Sequence, residues 1–238
     1  MLRLAVLGDL HANLSACRAV AADLERRRPE RVLVLGDLVG YLARPNQVVE
    51  LVARAGWDCL AGNYDLAVLA GGQAGVDEFL KPGLGPAPRA VFAWTEGRIN
   101  PTARAFLAAR PRQLRPRLAG LNILAVHGSP RGVRHYVHPD HPADELDAWL
   151  AQAGAEVLLM GHTHQPFIRR LPHGLAVNPG SVGRPKDGDP RASYALIELG
   201  PGPTAQIIRL DYDLEEEARL LLAAGLPAAG AEGLRRGV

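Results

Sequence analysis

The stretch Val157-Leu158-Leu159-Met160-Gly161-His162-Thr163-His164 decides the fold. Four apolar residues ending at a glycine read as a short buried strand. The two histidines just past it stand where open α/β sheets bind ligands, at the carboxyl edge of the strands. Four other polar motifs make chemical sense if they converge there: Asp9-Leu10-His11, Gly36-Asp37, Gly62-Asn63-Tyr64-Asp65 and His127-Gly128. Three of these also follow strand-like runs, Leu2 to Leu7, Val32 to Leu35 and Leu121 to Val126, and Trp57 to Leu60 reads as a strand running into Gly62-Asn63. Between the first two runs, Leu14, Cys17, Val20, Ala21 and Leu24 have helical spacing, with Asn13 as N-cap and Pro29 as terminator. Strand, helix and strand form a βαβ unit that delivers two acids to one edge, and Pro45 starts a second helix through Val48, Val49, Leu51 and Val52.

The residue types limit what could bind. Asp9, His11, Asp37, His127, His162, His164 and the amide oxygen of Asn63 offer oxygen and imidazole nitrogen but no thiolate. That mixture suits Mn, Fe or Zn, with Ni or Co also compatible, rather than an iron–sulfur cluster or Cu(I). Seven donors exceed what one tetrahedral zinc takes. With one bridging carboxylate they suit two divalent ions roughly 3.5–4 Å apart. Side chains two apart in extended backbone face the same way, which would let Asp9 and His11 approach one ion.

In this order the five motifs resemble those of the calcineurin-like metallophosphoesterases, D-x-H, G-D, G-N-H-[DE], G-H and G-H-x-H, over roughly residues 1 to 212. The resemblance implies that Asp9, His11 and His164 hold one metal, that Asn63, His127 and His162 hold the other, and that Asp37 bridges them. It implies hydrolysis of phosphoesters, with Asp37, Asn63, Tyr64, His127 and Arg131 as candidate catalytic residues. The stretches Gly36 to Tyr41, His127 to Arg131 and Asn178 to Gly183 are similar to a bacterial branch of the family. Two positions depart from its pattern. Tyr64 stands where G-N-H-[DE] has its histidine, and Gly40 stands where many relatives have a second Asp in G-D-x-x-D. That histidine contacts the scissile phosphate and helps protonate the leaving oxygen, whereas a phenol with pKa near 10 is a poor donor at neutral pH. The expected substrate is therefore a phosphodiester or anhydride, of nucleotide or dinucleoside polyphosphate type, whose leaving group needs less proton help. A phosphomonoesterase and a non-catalytic metal- or nucleotide-binding module are the alternatives.

At 238 residues the chain is long enough for a substantial core, and motifs reaching from residue 9 to residue 164 favour one domain spanning residues 1–238. The expected architecture is α/β, a four-layer α/β/β/α sandwich of two mixed sheets flanked by helices. A net charge of +2 gives no argument for nucleic acid or membrane. Two cysteines in unrelated places and a first apolar run too short for a signal peptide fit a reducing cytoplasm. There is no G-x-S-x-G elbow, H-E-x-x-H or Walker loop.

Residues 66–116 are rich in Gly, Pro and Ala. They read as a largely helical insertion, with helices around Arg89 to Ile99 and Thr102 to Arg110, that walls the cleft and uses Phe92, Trp94 and Phe106 as core. The segment Ser129 to His141 carries Arg131, Arg134, His135, Tyr136, His138 and His141. Arg131, nearest the metal edge, is the candidate phosphate clamp, because a guanidinium fork matches phosphate oxygens. His135 and His138 are the next places to seek a proton donor. Ala143 to Ala153 is an amphipathic helix. Beyond His164, antiparallel strands are expected over Pro166 to Leu171, Leu175 to Val177, Ala192 to Leu199 and Thr204 to Asp211. Asn178-Pro179-Gly180-Ser181 should line the cleft, and the tail 213–238 should begin as a helix and end in mobile residues.

Overall fold

The chain opens with two successive βαβ crossovers: β1 (Leu2–Leu7), α1 (Leu14–Arg27), β2 (Arg31–Val34), α2 (Pro45–Ala55) and β3 (Asp58–Cys59). A computed structural model describes all residues, Met1–Val238. Asn13 caps α1, its side chain accepting from the Ala16 amide at 3.0 Å, and Pro45 occupies the first turn of α2, where its missing N–H costs nothing. The helical segment follows as α3 (Asn63–Ala70), α4 (Gly72–Gly75), a π-helical turn (Val76–Leu80), α5 (Pro86–Arg98) and α6 (Pro101–Ala108). A second set of strands, β4 (Gln113–Leu114), β5 (Arg117–Leu118) and β6 (Leu121–Val126), leads through α7 (Ala143–Ala153) to β7 (Val157–Leu159), β8 (Phe167–Leu171) and β9 (Gly174–Asn178). The chain then returns with β10 (Ala192–Leu199) and β11 (Thr204–Leu210) and ends in α8 (Leu214–Ala223) and α9 (Ala228–Arg236).

The strands form two mixed sheets, in the orders β11-β10-β1-β2-β3 and β4-β6-β7-β9-β8, with β5 beside β6. Alternation along each strand makes the layers. In β1, Leu4 and Val6 pack with Leu33, Ile123, Val157 and Val177 between the sheets, while Ala5 and Leu7 meet Cys17, Val20 and Val48 of the helices outside. Leu124 and Leu158 meet Trp149 and Leu150 of α7 on the other outer face. The result is the α/β/β/α sandwich.

All six parallel strands, β1-β2-β3 and β6-β7-β9, end at the same edge. One of them corrects the sequence expectation. β9 pairs in parallel with β7 as well as antiparallel with β8. The chain leaves the edge along β8, turns at Pro172-His173 and so must come back toward it. The tail also differs from expectation, because its last residues are helical and anchored. Buried Glu217 accepts from the Ser15 amide at 2.8 Å and pairs with Arg44. The Gly188 amide donates to Gly237 O at 3.0 Å.

Candidate metal centre

The ligand candidates sit on unusual backbone. Asp9 (φ 55°), His11 (45°), Asp37 (52°), His162 (68°) and His164 (60°) are five of the nine non-glycine residues with positive φ. Asp9 and His11 therefore converge through left-handed turns and not through extended backbone as the spacing suggested. Such residues cost on the order of 1–3 kcal/mol each and persist where surrounding structure fixes them. Here the loops lock one another: Asp9 N donates to Gly36 O (3.1 Å), His11 N to Asp37 O (2.9 Å) and Gly161 N to His127 O (2.7 Å). Gly62 is required by the same interlock, since a Cβ there would lie 2.1 Å from Asp37 Oδ1.

Three of the four imidazoles are aimed by the same device. Nδ1 of His11 meets Val39 O at 3.0 Å, Nδ1 of His127 meets Leu35 O at 2.7 Å, and Nδ1 of His164 meets Arg184 O. A carbonyl can only accept, so each Nδ1 carries the proton and each Nε2 presents a bare lone pair. Those lone pairs converge: Nε2 of His11 and His164 are 3.1 Å apart, and Nε2 of His127 lies 2.9 Å from Asn63 Oδ1. Acceptors pressed together without hydrogens repel unless a cation sits among them. His162 Nε2 and Asp9 Oδ1 are likewise buried with no partner.

The carboxylates follow the same plan. Asp9 Oδ2 accepts from the His162 amide at 3.1 Å and Asp37 Oδ1 from the Tyr64 amide at 2.7 Å, which leaves one oxygen of each free. Asp9 Oδ1 is 3.3 Å from His164 Nε2 and 3.8 Å from His11 Nε2. Asp37 Oδ2 lies 3.7 Å from His11 Nε2 and 3.5 Å from His127 Nε2. Two compact donor groups result, Asp9-His11-His164 and Asp9-Asp37-His127. The first is the set expected for one ion. The second differs from the expected set, with Asp9 in it and His162 outside it, so that Asp9 is common to both groups, while Asp37 Oδ2 faces a histidine of each expected set. Burial, then the Asp9 charge, pushes the Asp37 carboxyl well above its ordinary range. Burial acts on Asp9 the same way, but the imidazoles around it, His164 foremost, hold it low. Burial lowers His11 strongly and holds His162 down to about 3, so these imidazoles are neutral donors. The residues fit a divalent-metal site.

Residues 2–201 match the calcineurin-like phosphoesterase superfamily domain. The chain belongs to this superfamily. An uncharacterized protein of Methanocaldococcus jannaschii is 29% identical over 241 residues, 94% of this chain and 93% of that protein. The crystal structure of a metallophosphoesterase from Sphaerobacter thermophilus superposes with a TM-score of 0.80 at 29% identity, covering 100% of this chain and 99% of the other. A hypothetical protein from Pyrococcus horikoshii shares the fold with a TM-score of 0.88 at 23% identity, over 100% and 99% of the two chains.

Two departures of this phosphoesterase from its family pattern are one structural event. The ring of Tyr64 packs over Gly40, where a Cβ would lie 2.6 Å from ring carbons Cδ1 and Cε1. A tyrosine at position 64 thus excludes any side chain at position 40. The ring lies 6.1 Å from Phe92 of α5, 5.3 Å from Tyr41 and 6.0 Å from the His11 ring. Burial, then nearby Tyr41 and Asp37, pushes the phenol well above its usual value.

Several other residues fall elsewhere than expected. Arg131 pairs with Glu145 and lies 5.6 Å over the Trp149 ring of α7, so its guanidinium is engaged outside the cleft. His135 bonds Ser129 Oγ at 2.8 Å and His138 bonds Gln165 Oε1 at 3.0 Å. Of that segment, Tyr136 is the residue that lines the cavity beside the donors, 4.3 Å from the His162 ring. Asn178 to Gly183 brace the ligand loops from behind: Asn178 Nδ2 donates to Gly161 O at 2.9 Å and Ser181 Oγ to Asp9 O at 2.6 Å. Asp65 accepts from the Leu38 and Gly62 amides at 2.9 and 3.0 Å and holds the Asp37 loop. Three cations line the cleft, Lys81, Arg184 and Lys186, the last two 4.2 and 5.6 Å from the Tyr41 ring centre. Burial, then Arg184, brings Lys186 down to about 8. A signal for Lys186 was available, since the chain has lysine only at positions 81 and 186 and both line the cavity.

Proposed function

We propose that the chain is a two-ion phosphoesterase that prefers phosphodiesters and phosphoanhydrides to monoesters. Asp9, His11 and His164 would hold one ion, Asn63, His127 and His162 the second, and Asp37 both, with Mn favoured by the oxygen and imidazole donors. Ions so held supply charge for the phosphoryl oxygens and lower the pKa of an attacking water. Arg184 and Lys186, at the open side of the donors, receive the remaining phosphate oxygens in the role the sequence suggested for Arg131. The strained, interlocked loops keep the donors in place without reorganisation.

The preference rests on one observation. The residue after Asn63 is a phenol that burial holds well above its usual pKa, so no matched acid stands where the family keeps its histidine. An alkoxide leaving a monoester needs a proton, whereas a better leaving group needs little. Nucleotide-type diesters and dinucleoside polyphosphates meet this requirement. The test is kcat/KM for a monoester and a diester of the same alcohol at equal metal occupancy. The diester should be the better substrate; monoester preference, or no turnover with both ions bound, contradicts the proposal.

A further inference from the structure

The donors occupy one end of a cavity of about 400 Å³, within the range of small-molecule sites. The other end is built from outside the sandwich. Leu80 and Leu84 come from the helical segment, Val91 from α5, and Leu221, Leu226 and Leu234 from the tail. Leu80, Leu84 and Val91 lie within the span matched to the family domain, and the three tail leucines lie beyond it.

From this geometry we infer that the cavity takes a phosphoester whose organic part is aliphatic, the phosphate at the donors and the hydrocarbon between the helical segment and the tail. The inference rests on the phosphoesterase reading and, among the esters that reading admits, favours alkyl over nucleotide-type ones. Twelve of the 22 lining residues are hydrophobic. The lining contains no Ser, Thr, Gln or Glu, and its only acid and amide, Asp37 and Asn63, are ligand candidates. A purine or pyrimidine would bring donors and acceptors for which these apolar side chains offer no partner besides Lys81, a cost an aliphatic chain avoids. The aromatic rings of the lining are partly engaged: Arg184 covers Tyr41 and Tyr64 is packed over Gly40, while Tyr136, 57% exposed, has His138 beside one face at 5.9 Å. Of the three cations in the lining, Arg184 and Lys186 stand by the Tyr41 ring, and Lys81 adjoins Leu80.

Alkylphosphonates test this without turnover. Methyl-, butyl- and octylphosphonate and a nucleoside 5′-monophosphate are titrated calorimetrically into the metal-loaded protein. Affinity should rise about two- to fourfold per methylene until the chamber is filled, with the nucleotide no tighter than methylphosphonate. The partly buried Leu84→Asp should flatten the series and leave methylphosphonate unchanged; the wild-type series stands alone if that variant misfolds. Methylphosphonate that binds, with affinity flat along the series or exceeded by the nucleotide, overturns the inference alone. Methylphosphonate that does not bind overturns the phosphoesterase reading beneath it.

Discussion

The two ends of the cavity are made by opposite means. At the metal end, five of the seven donors sit on left-handed backbone after β1, β2 and β7, and Asn63 and His127 follow β3 and β6. At the far end, leucines from three separate helical elements meet across open space, and no hydrogen bond specifies which apolar residue stands where. On the reading proposed above, the sandwich holds the chemistry, and the helical segment and the tail shape the chamber for the organic part of the substrate. Substitutions at the first end should abolish the reaction, and those around it should redirect or spare it.

The largest effect belongs to Asp37→Asn. A neutral amide is a poor bridge, and losing the several kcal/mol that bound metal contributes corresponds to a fall in kcat of roughly 10³-fold or more. Normal turnover with two ions per chain would remove Asp37 from its bridging place. Tyr64→His should come next. It relieves the packing over Gly40 and supplies an imidazole of matched pKa, so the monoester-to-diester ratio of kcat/KM should rise by up to roughly 10²-fold. A flat ratio would show that the leaving-group proton comes from another residue.

A stability effect separates the buried imidazoles from the rest of the site. The folded chain holds His162 neutral down to about 3, whereas the unfolded chain protonates it near 6.5. Its stabilising contribution is complete above pH 6.5 and is lost as pH falls from 6.5 toward 3. In denaturant titrations of chelated protein, wild type should therefore lose stability relative to His162→Gln across that window. A constant difference would mean that His162 is not buried as described. Arg131→Ala should do least. Its pairing with Glu145 is exposed, which is worth about 0–1 kcal/mol, and KM should stay within about twofold. A large rise in KM would return Arg131 to the phosphate.

The metal end was legible because few residue types bind divalent ions and each follows a strand-like run. Asp9, Asp37, His127 and His162 could be placed at one edge from order alone, and the layers followed from apolar alternation. The left-handed turns were not legible, since Asp9 and His11 look as they would in extended chain and their φ is set by contacts with residues 36–38. The direction of β9 depended on a hairpin that local propensity does not orient. Arg131 was misplaced because nearness in sequence to His127 stood in for nearness in space, while Glu145, fourteen residues on and its true partner, gave no sign of being adjacent. The chamber was invisible for a simpler reason: a leucine lining a cavity and a leucine in the core read alike.

The central claim is that these seven donors hold two catalytic ions. It is tested most directly by titrating chelated wild-type protein with Mn²⁺ while following heat and hydrolysis of a chromogenic phosphodiester. The account predicts two ions bound per chain, with turnover appearing as the second site fills. A single ion at saturation, or two ions with no hydrolysis, would contradict it.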